Sequence, residues 1–168
     1  MKAANNLAAK DLVLRFAQPE DCKALFDLIK ALAEYEKLSD AVTGNADALQ
    51  DHLFGEKPYI EAVVAEYSHQ IVGFALFFHN YSTFLTKPGI YLEDLFVLKE
   101  YRGKGIGKAL LTKVGEIAKE RNCGRFEWSV LDWNEPAKKF YRHMGATILD
   151  EWEICRVTEE GLKEMNHK

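Results

Sequence analysis

The sequence predicts an α/β (α+β) protein in which a mixed, mostly antiparallel central sheet of about six to seven strands is flanked by helices. Three observations predict it. Segments that alternate or run apolar are interleaved with segments whose apolar residues recur at three- and four-residue steps. Their order, β-α-α-β-β-β-α-β-α-β, places a hairpin mid-chain and a strand–helix–strand crossover after it, so antiparallel pairing dominates. The chain has 168 residues, 48% of them hydrophobic, and no low-complexity run, which suffices for one domain with a buried core.

The elements follow in order. Leu12, Leu14 and Phe16 alternate with Val13 and Arg15, a first strand over Leu12–Ala17. Pro19 with Glu20 and Asp21 opens a helix, since proline fits a first turn and acids suit its positive end. Leu25, Leu28, Ile29 and Leu32 form its buried stripe, and Glu34-Tyr35-Glu36-Lys37 its polar end. A second helix spans Asn45 to Phe54, stopped by Gly55 and Pro58. Tyr59–Tyr67 and Ile71–Tyr81 are strands joined through Ser68-His69-Gln70. Tyr91–Leu98 is a largely buried strand. A basic loop, Arg102 to Gly107, separates it from a helix carrying Ala109, Leu110, Val114, Ile117 and Ala118. Arg125–Leu131 is a strand, and Asn134 caps a helix with Ala137, Phe140, Tyr141 and Met144 before Gly145. Ile148–Val157 is a last strand, and Thr158 with Glu160 begins a terminal helix. Residues 1–10 lack the apolar core of a secretory signal and read as a flexible extension, leaving 11–168 as a single domain.

Composition excludes several classes. A net charge of −4 argues against a nucleic-acid binder held by phosphates. No apolar run approaches the ~18–20 residues of a membrane span. Cys22, Cys123 and Cys155 show no metal spacing and cannot all pair, so reduced thiols and a cytoplasmic location are expected. The five histidines show no ligand pattern either, and no metal is expected.

The chemistry centres on Tyr91 to Arg121, a strand, a glycine-rich turn and a helix. Glycines allow positive φ and close approach, and the first N–H groups of a helix are unpartnered and lie at its positive end, so the arrangement suits phosphate. Arg102, Lys104 and Lys108 add full charges. It is not a P-loop, because Gly107-Lys108 is followed by Ala109, nor a dinucleotide fingerprint, because Lys108 stands where a third glycine belongs. The loop resembles the coenzyme A motif of the GNAT acetyltransferases, Gln/Arg-x-x-Gly-x-Gly/Ala, at Arg102, Gly105 and Gly107. The resemblance runs from Leu12 to about Leu162 and implies the GNAT fold. LAEYEKLSD (32–40), VGFALFF (72–78), YLEDLFV (91–97), VLDWNEPA (130–137) and the Phe140-Tyr141…Gly145-Ala146 pattern further resemble the diamine acetyltransferases, which acetylate spermidine/spermine or thialysine. Ser82 and Phe84 stand where the polyamine branch has aspartate and tryptophan, which leans toward thialysine. On that reading Ser82→Asp is expected to improve polyamine use.

The resemblance implies the site. Acetyl-CoA would be held by Leu95, Phe96 and Val97 along its pantetheine arm and by Arg102, Gly103, Lys104, Gly105, Ile106, Gly107 and Lys108 at its pyrophosphate. Asn134, Glu135, Pro136, Ala137 and Tyr141 would complete that site. A small-molecule amine would meet Tyr35, Glu36, Glu93, Glu127, Trp128 and Ser129, with Glu93 as base and Tyr141 as acid to the departing thiolate. A homodimer is implied as well. From the residues themselves, Glu93 and Asp94 interrupt an apolar strand, and buried carboxylates are costly unless used. Strict alternation sends them to opposite faces and denies them a shared role, and the resemblance favours Glu93. Two alternatives stay open: a protein or peptide N-acetyltransferase, and a module that binds acetyl-CoA without turnover.

Overall fold

The computed structural model of the chain describes residues 11–165, so the extension read from residues 1–10 lies outside the described residues. The chain divides into two compact units, one running to Ser129 and one starting at Val130.

The first unit contains one sheet of five strands in the order β1 (Leu12–Phe16), β2 (Glu61–Tyr67), β3 (Gln70–Ser82), β4 (Lys87–Val97) and β5 (Phe126–Trp128). The first three pairings are antiparallel and β4 with β5 is parallel. A 3-10 turn at Pro19–Asp21 leads into α1 (Cys22–Tyr35), and α2 (Ala46–Phe54) follows. The start of α1 is pinned to the sheet by charge. Arg15 on β1 donates to both oxygens of Asp21 at 2.6 and 3.0 Å and to Glu66 on β2 at 3.0 Å. Asp21 also accepts the Gln18 N–H, so the nearly buried carboxylate is fully partnered. Asn45 caps α2 by accepting the Ala48 N–H at 2.9 Å. Between β2 and β3, Ser68 and His69 both take positive φ (47° and 64°), which makes a two-residue hairpin whose twist matches the strands.

Period two in the strands and 3.6 in the helices meet in the core. Leu25 and Leu28 of α1 and Leu53 of α2 pack on Val64, Phe74, Leu76 and Phe96, all buried. The helix α3 (Ile106–Glu120) packs on β2, β3 and β4, and buries Leu110, Leu111, Val114 and Ile117.

The second unit holds α4 (Glu135–His143) and α5 (Glu159–Glu164). Asn134 accepts the Ala137 N–H at 3.3 Å, Pro136 sits in the first turn, and the helix ends on Gly145 at φ 91°. Thr158 caps α5 through the Gly161 N–H.

Three expectations are corrected. The described residues form five strands, not six to seven. Ile148–Val157 forms no strand, and Trp152, Ile154 and Val157 on it are exposed. Alternation reports that a segment suits a half-covered pleated surface; it does not supply the neighbouring ladder its backbone needs. The strand read over Arg125–Leu131 also shortens to Phe126–Trp128, because it pairs only with Ile90, Tyr91 and Leu92.

Candidate active site

The reason β5 stops is the central feature of the site. In the β3–β4 ladder Leu76 faces Asp94 while Phe77 faces Leu92, so Glu93 is an extra residue with no partner on β3. It is a β-bulge, which bends a strand and re-aims its side chains. Leu92↔Trp128 is the last pair between β4 and β5, and past the bulge residues 94–97 pair with β3 alone. In an antiparallel ladder alternate backbone groups face away from the partner strand, so this stretch presents N–H and C=O groups along an open edge.

At the bulge Glu93 is exposed and Asp94 half-buried. Glu36, the C-cap of α1, is half-buried nearby. Burial, then the charge of Glu93, then that of Glu36 push the Asp94 carboxyl from its ordinary 3.8 up to about 7. Burial also raises the Glu36 carboxyl. Among the described residues none of the three is ion-paired. Clustered carboxylates without cations are costly, and an ammonium group would relieve the cost. The bulge interrupts the strict alternation assumed for Glu93 and Asp94, and the charge of Glu93 is among the causes that raise the Asp94 carboxyl. Asp94 is the residue that the resemblance passed over in favour of Glu93. The signal for it was present in the adjacent acids of an apolar strand.

The other predicted amine contacts are already engaged. Glu127 accepts from Asn80 Nδ2 at 2.8 Å and from Arg125 Nε at 2.8 Å, which compensates its charge. Ser129 Oγ lies 2.7 Å from the Tyr91 hydroxyl, and Trp128 packs edge-on against Phe126. Ser82 is buried, and its hydroxyl accepts the Leu85 N–H at 3.3 Å, closing the β3–β4 turn. Its comparison with the polyamine branch therefore concerns a turn residue, while Phe84 at that tip is fully exposed.

The loop after β4 has the geometry that phosphate contact needs. Gly103 (φ 74°) and Gly105 (φ 84°) take the left-handed conformation, and an added Cβ at either would meet nothing within 4 Å. Gly105 is the N-cap of α3, which has no side-chain cap, so its first N–H groups have no such partner. Gly107 differs, because its φ is ordinary and a Cβ there would sit 3.9 Å from Val97 Cγ2. Lys108 is exposed, and Lys104 lies over the Tyr101 ring at 5.1 Å. Arg102 donates from Nε to the Val97 carbonyl at 2.8 Å, and its guanidinium lies over Tyr35 and Phe96. The bulge, the open β4 edge and the uncapped helix N-terminus fit an acyl-CoA: strand groups for an amide-bearing arm and amide donors for a pyrophosphate.

Tyr141 and Asn134 to Ala137 belong to the second unit. Tyr141 is on α4, its ring 5.3 Å from that of Phe140, and its carbonyl accepts the Ala146 N–H. A groove of about 540 Å³ lies elsewhere, beside Phe26, Asp27, Lys30 and Glu34. Its Asp27 is bridged by Lys23 and Lys30.

Comparison with known proteins agrees with this geometry. The profile of the acetyltransferase (GNAT) family matches residues 22–146, and the chain belongs to that family as an N-acetyltransferase. It is 39% identical to the thialysine N-epsilon-acetyltransferase of Sus scrofa, over 94% of this chain and 98% of that one. It is 32% identical to the L-ornithine N5-acetyltransferase of Arabidopsis thaliana, over 89% and 86% of the two chains. An integron cassette protein from the mobile metagenome of V. cholerae superposes with a TM-score of 0.79 at 26% identity, covering 94% of this chain and 99% of that one.

Proposed function

We propose that the chain transfers the acetyl group of acetyl-CoA to a primary amine of a small molecule, a thialysine-like amino acid or a di- or polyamine. The observation that carries this reading is the bulge at Glu93, which joins three unpaired carboxylates to an open strand edge and a phosphate-type loop. The 39% identical relative named for thialysine supports the amino-acid member of that class.

The reaction needs a neutral amine, stabilisation of charge on the carbonyl oxygen and a proton for the leaving thiolate. An amine titrating near about 10.4 is neutral in roughly one molecule per few thousand at neutral pH, a cost of ~4–5 kcal/mol. Glu93 takes the amine's proton, directly or through a water, as nitrogen attacks the thioester carbon and the carbon–sulfur bond breaks. Backbone N–H groups near Phe96 and Val97 stabilise the developing oxyanion. Tyr141 is assigned the acid role by resemblance, its phenol returning a proton to sulfur. Acetyl-CoA supplies the activated acyl group.

The deciding experiment is a substrate panel, with products identified by mass after incubation with lysine analogues, polyamines and peptides. Thialysine is expected to show a kcat/KM above that of spermidine by about tenfold or more. Its thioether lowers the basicity of the reacting amine, and a polyamine would require further unmatched carboxylates along its length. The comparison is made at one ionic strength, since screening weakens the charge effect. A better rate with spermidine would reject the amino-acid assignment, and acetylation of peptides alone would reject the small-molecule reading.

The loop assignment has its own test. Gly105→Val puts a branched side chain at φ 84°, a strain of ~1–2 kcal/mol that the protein relieves by moving the loop. Acetyl-CoA must then restore the loop, so its Kd is expected to rise about tenfold with the fold retained. Gly107→Ala, with ordinary φ and an ordinary contact, should stay within about twofold. An unchanged Kd in folded Gly105→Val would remove the loop from the site.

A further inference from the structure

Arg102 touches three elements. Its Nε–H donates to the carbonyl of Val97, the last residue of β4, at 2.8 Å. Its guanidinium carbon lies 4.5 Å from the centroid of Tyr35, the last residue of α1, and 5.2 Å from that of Phe96. Arg102 itself opens the glycine loop. A planar cation against two aromatic faces is attracted by both, and the Nε–H bond sets the direction in which it leaves the chain. Lysine could keep the charge but not the plane or that bond.

The end of α1 needs such a tie. Beyond Tyr35 the chain turns sharply, with Lys37 at φ 61°, held by Glu36 N–H to Leu32 O and Leu38 N–H to Ala33 O. Tyr35 and Glu36 are adjacent, so what orients the Tyr35 ring also sets where the Glu36 carboxyl stands relative to Asp94.

We propose that Arg102 is a positioning residue for the amine site: it ties the Tyr35–Glu36 end of α1 to β4 and the root of the glycine loop, and does not serve chiefly as a counter-charge to the coenzyme's phosphates. The proposal rests on the amine reading above for the identity of the groove. It assigns Arg102 a role that its place in a phosphate-binding motif does not suggest.

The test uses Arg102→Gln, Arg102→Lys and Tyr35→Leu in the full chain. Arg102→Gln and Tyr35→Leu are expected to raise the KM for thialysine about 5- to 10-fold, with the Kd for acetyl-CoA, by calorimetry, within about twofold of the parent. Arg102→Lys should fall between parent and Gln. The double variant should be no worse than about the poorer single one, because both remove one contact. In the ligand-free protein, amide exchange over residues 34–38 should quicken in Arg102→Gln. A Kd for acetyl-CoA raised about fivefold or more, with parent exchange at the end of α1, would make Arg102 a phosphate ligand and overturn the proposal. Parent values of both KM and exchange would overturn it too. If the parent protein acetylates no amine, the functional reading fails by that result, and the exchange data still decide whether Arg102 holds the end of α1.

Discussion

Glu93→Gln is expected to lower kcat/KM for the amine by about 10²–10⁴-fold, with acetyl-CoA binding left near its parent value. Glutamine keeps the size and the bulge but cannot take a proton. The same variant changes the pH profile in a calculable direction. In the parent, Asp94 titrates at about 7, above its ordinary 3.8, because burial, Glu93 and Glu36 all disfavour its charged form. As pH rises through that value the site gains a negative charge that attracts an ammonium, so amine kcat/KM should rise across neutral pH. Removing the Glu93 charge removes one cause of the shift, and the acid limb remaining in Glu93→Gln should move to lower pH. Fold stability runs the opposite way. The native state holds a proton that the unfolded chain releases near 3.8, so this group's contribution is full below that value and declines as pH rises to about 7. Rates measured across this range at constant ionic strength, beside denaturant melts, separate the two trends. A Glu93→Gln enzyme within about twofold of the parent would end the case for Glu93 as base.

Tyr141→Phe should reduce turnover by about 10–10⁴-fold with little change in acetyl-CoA binding. A thiolate whose acid titrates at about 8.5 can be protonated by a phenol of about 10 when the two are hydrogen-bonded as charge develops. The loss should depend on the leaving group. With an acetyl thioester of a more acidic thiol, less proton transfer is needed and the defect should shrink. A defect of equal size with both donors would mean that the hydroxyl acts elsewhere. Turnover within about twofold of the parent would make Tyr141 a packing residue on α4.

What could be read directly was local. Caps and periodicity located α1 behind Pro19, α2 behind Asn45 and α4 behind Asn134, because these signals depend on groups within a turn or two of one another. Strand, glycine turn and helix were legible around Arg102 to Gly107 for the same reason, and the motif carried the family with it. The structure refined that reading, since Gly103 and Gly105 need positive φ while Gly107 does not. The site's charge pattern was not legible. Asp94 is shifted partly by Glu36 from another element, and Glu127 accepts a hydrogen bond from Asn80 on β3 as well as pairing with its near neighbour Arg125. Nor could the bulge be read, because it is a property of the register between β3 and β4 and not of either strand. The same holds for the missing strand at residues 148–157, whose pattern offers a face but names no partner. Helices and loop were legible because they rest on interactions spanning a few residues, and the loop motif's resemblance carried the family and hence the reaction class. Which carboxylates lie together, where β4 loses its neighbour and what Arg102 touches came from register and packing, because each depends on groups brought together from distant parts of the chain.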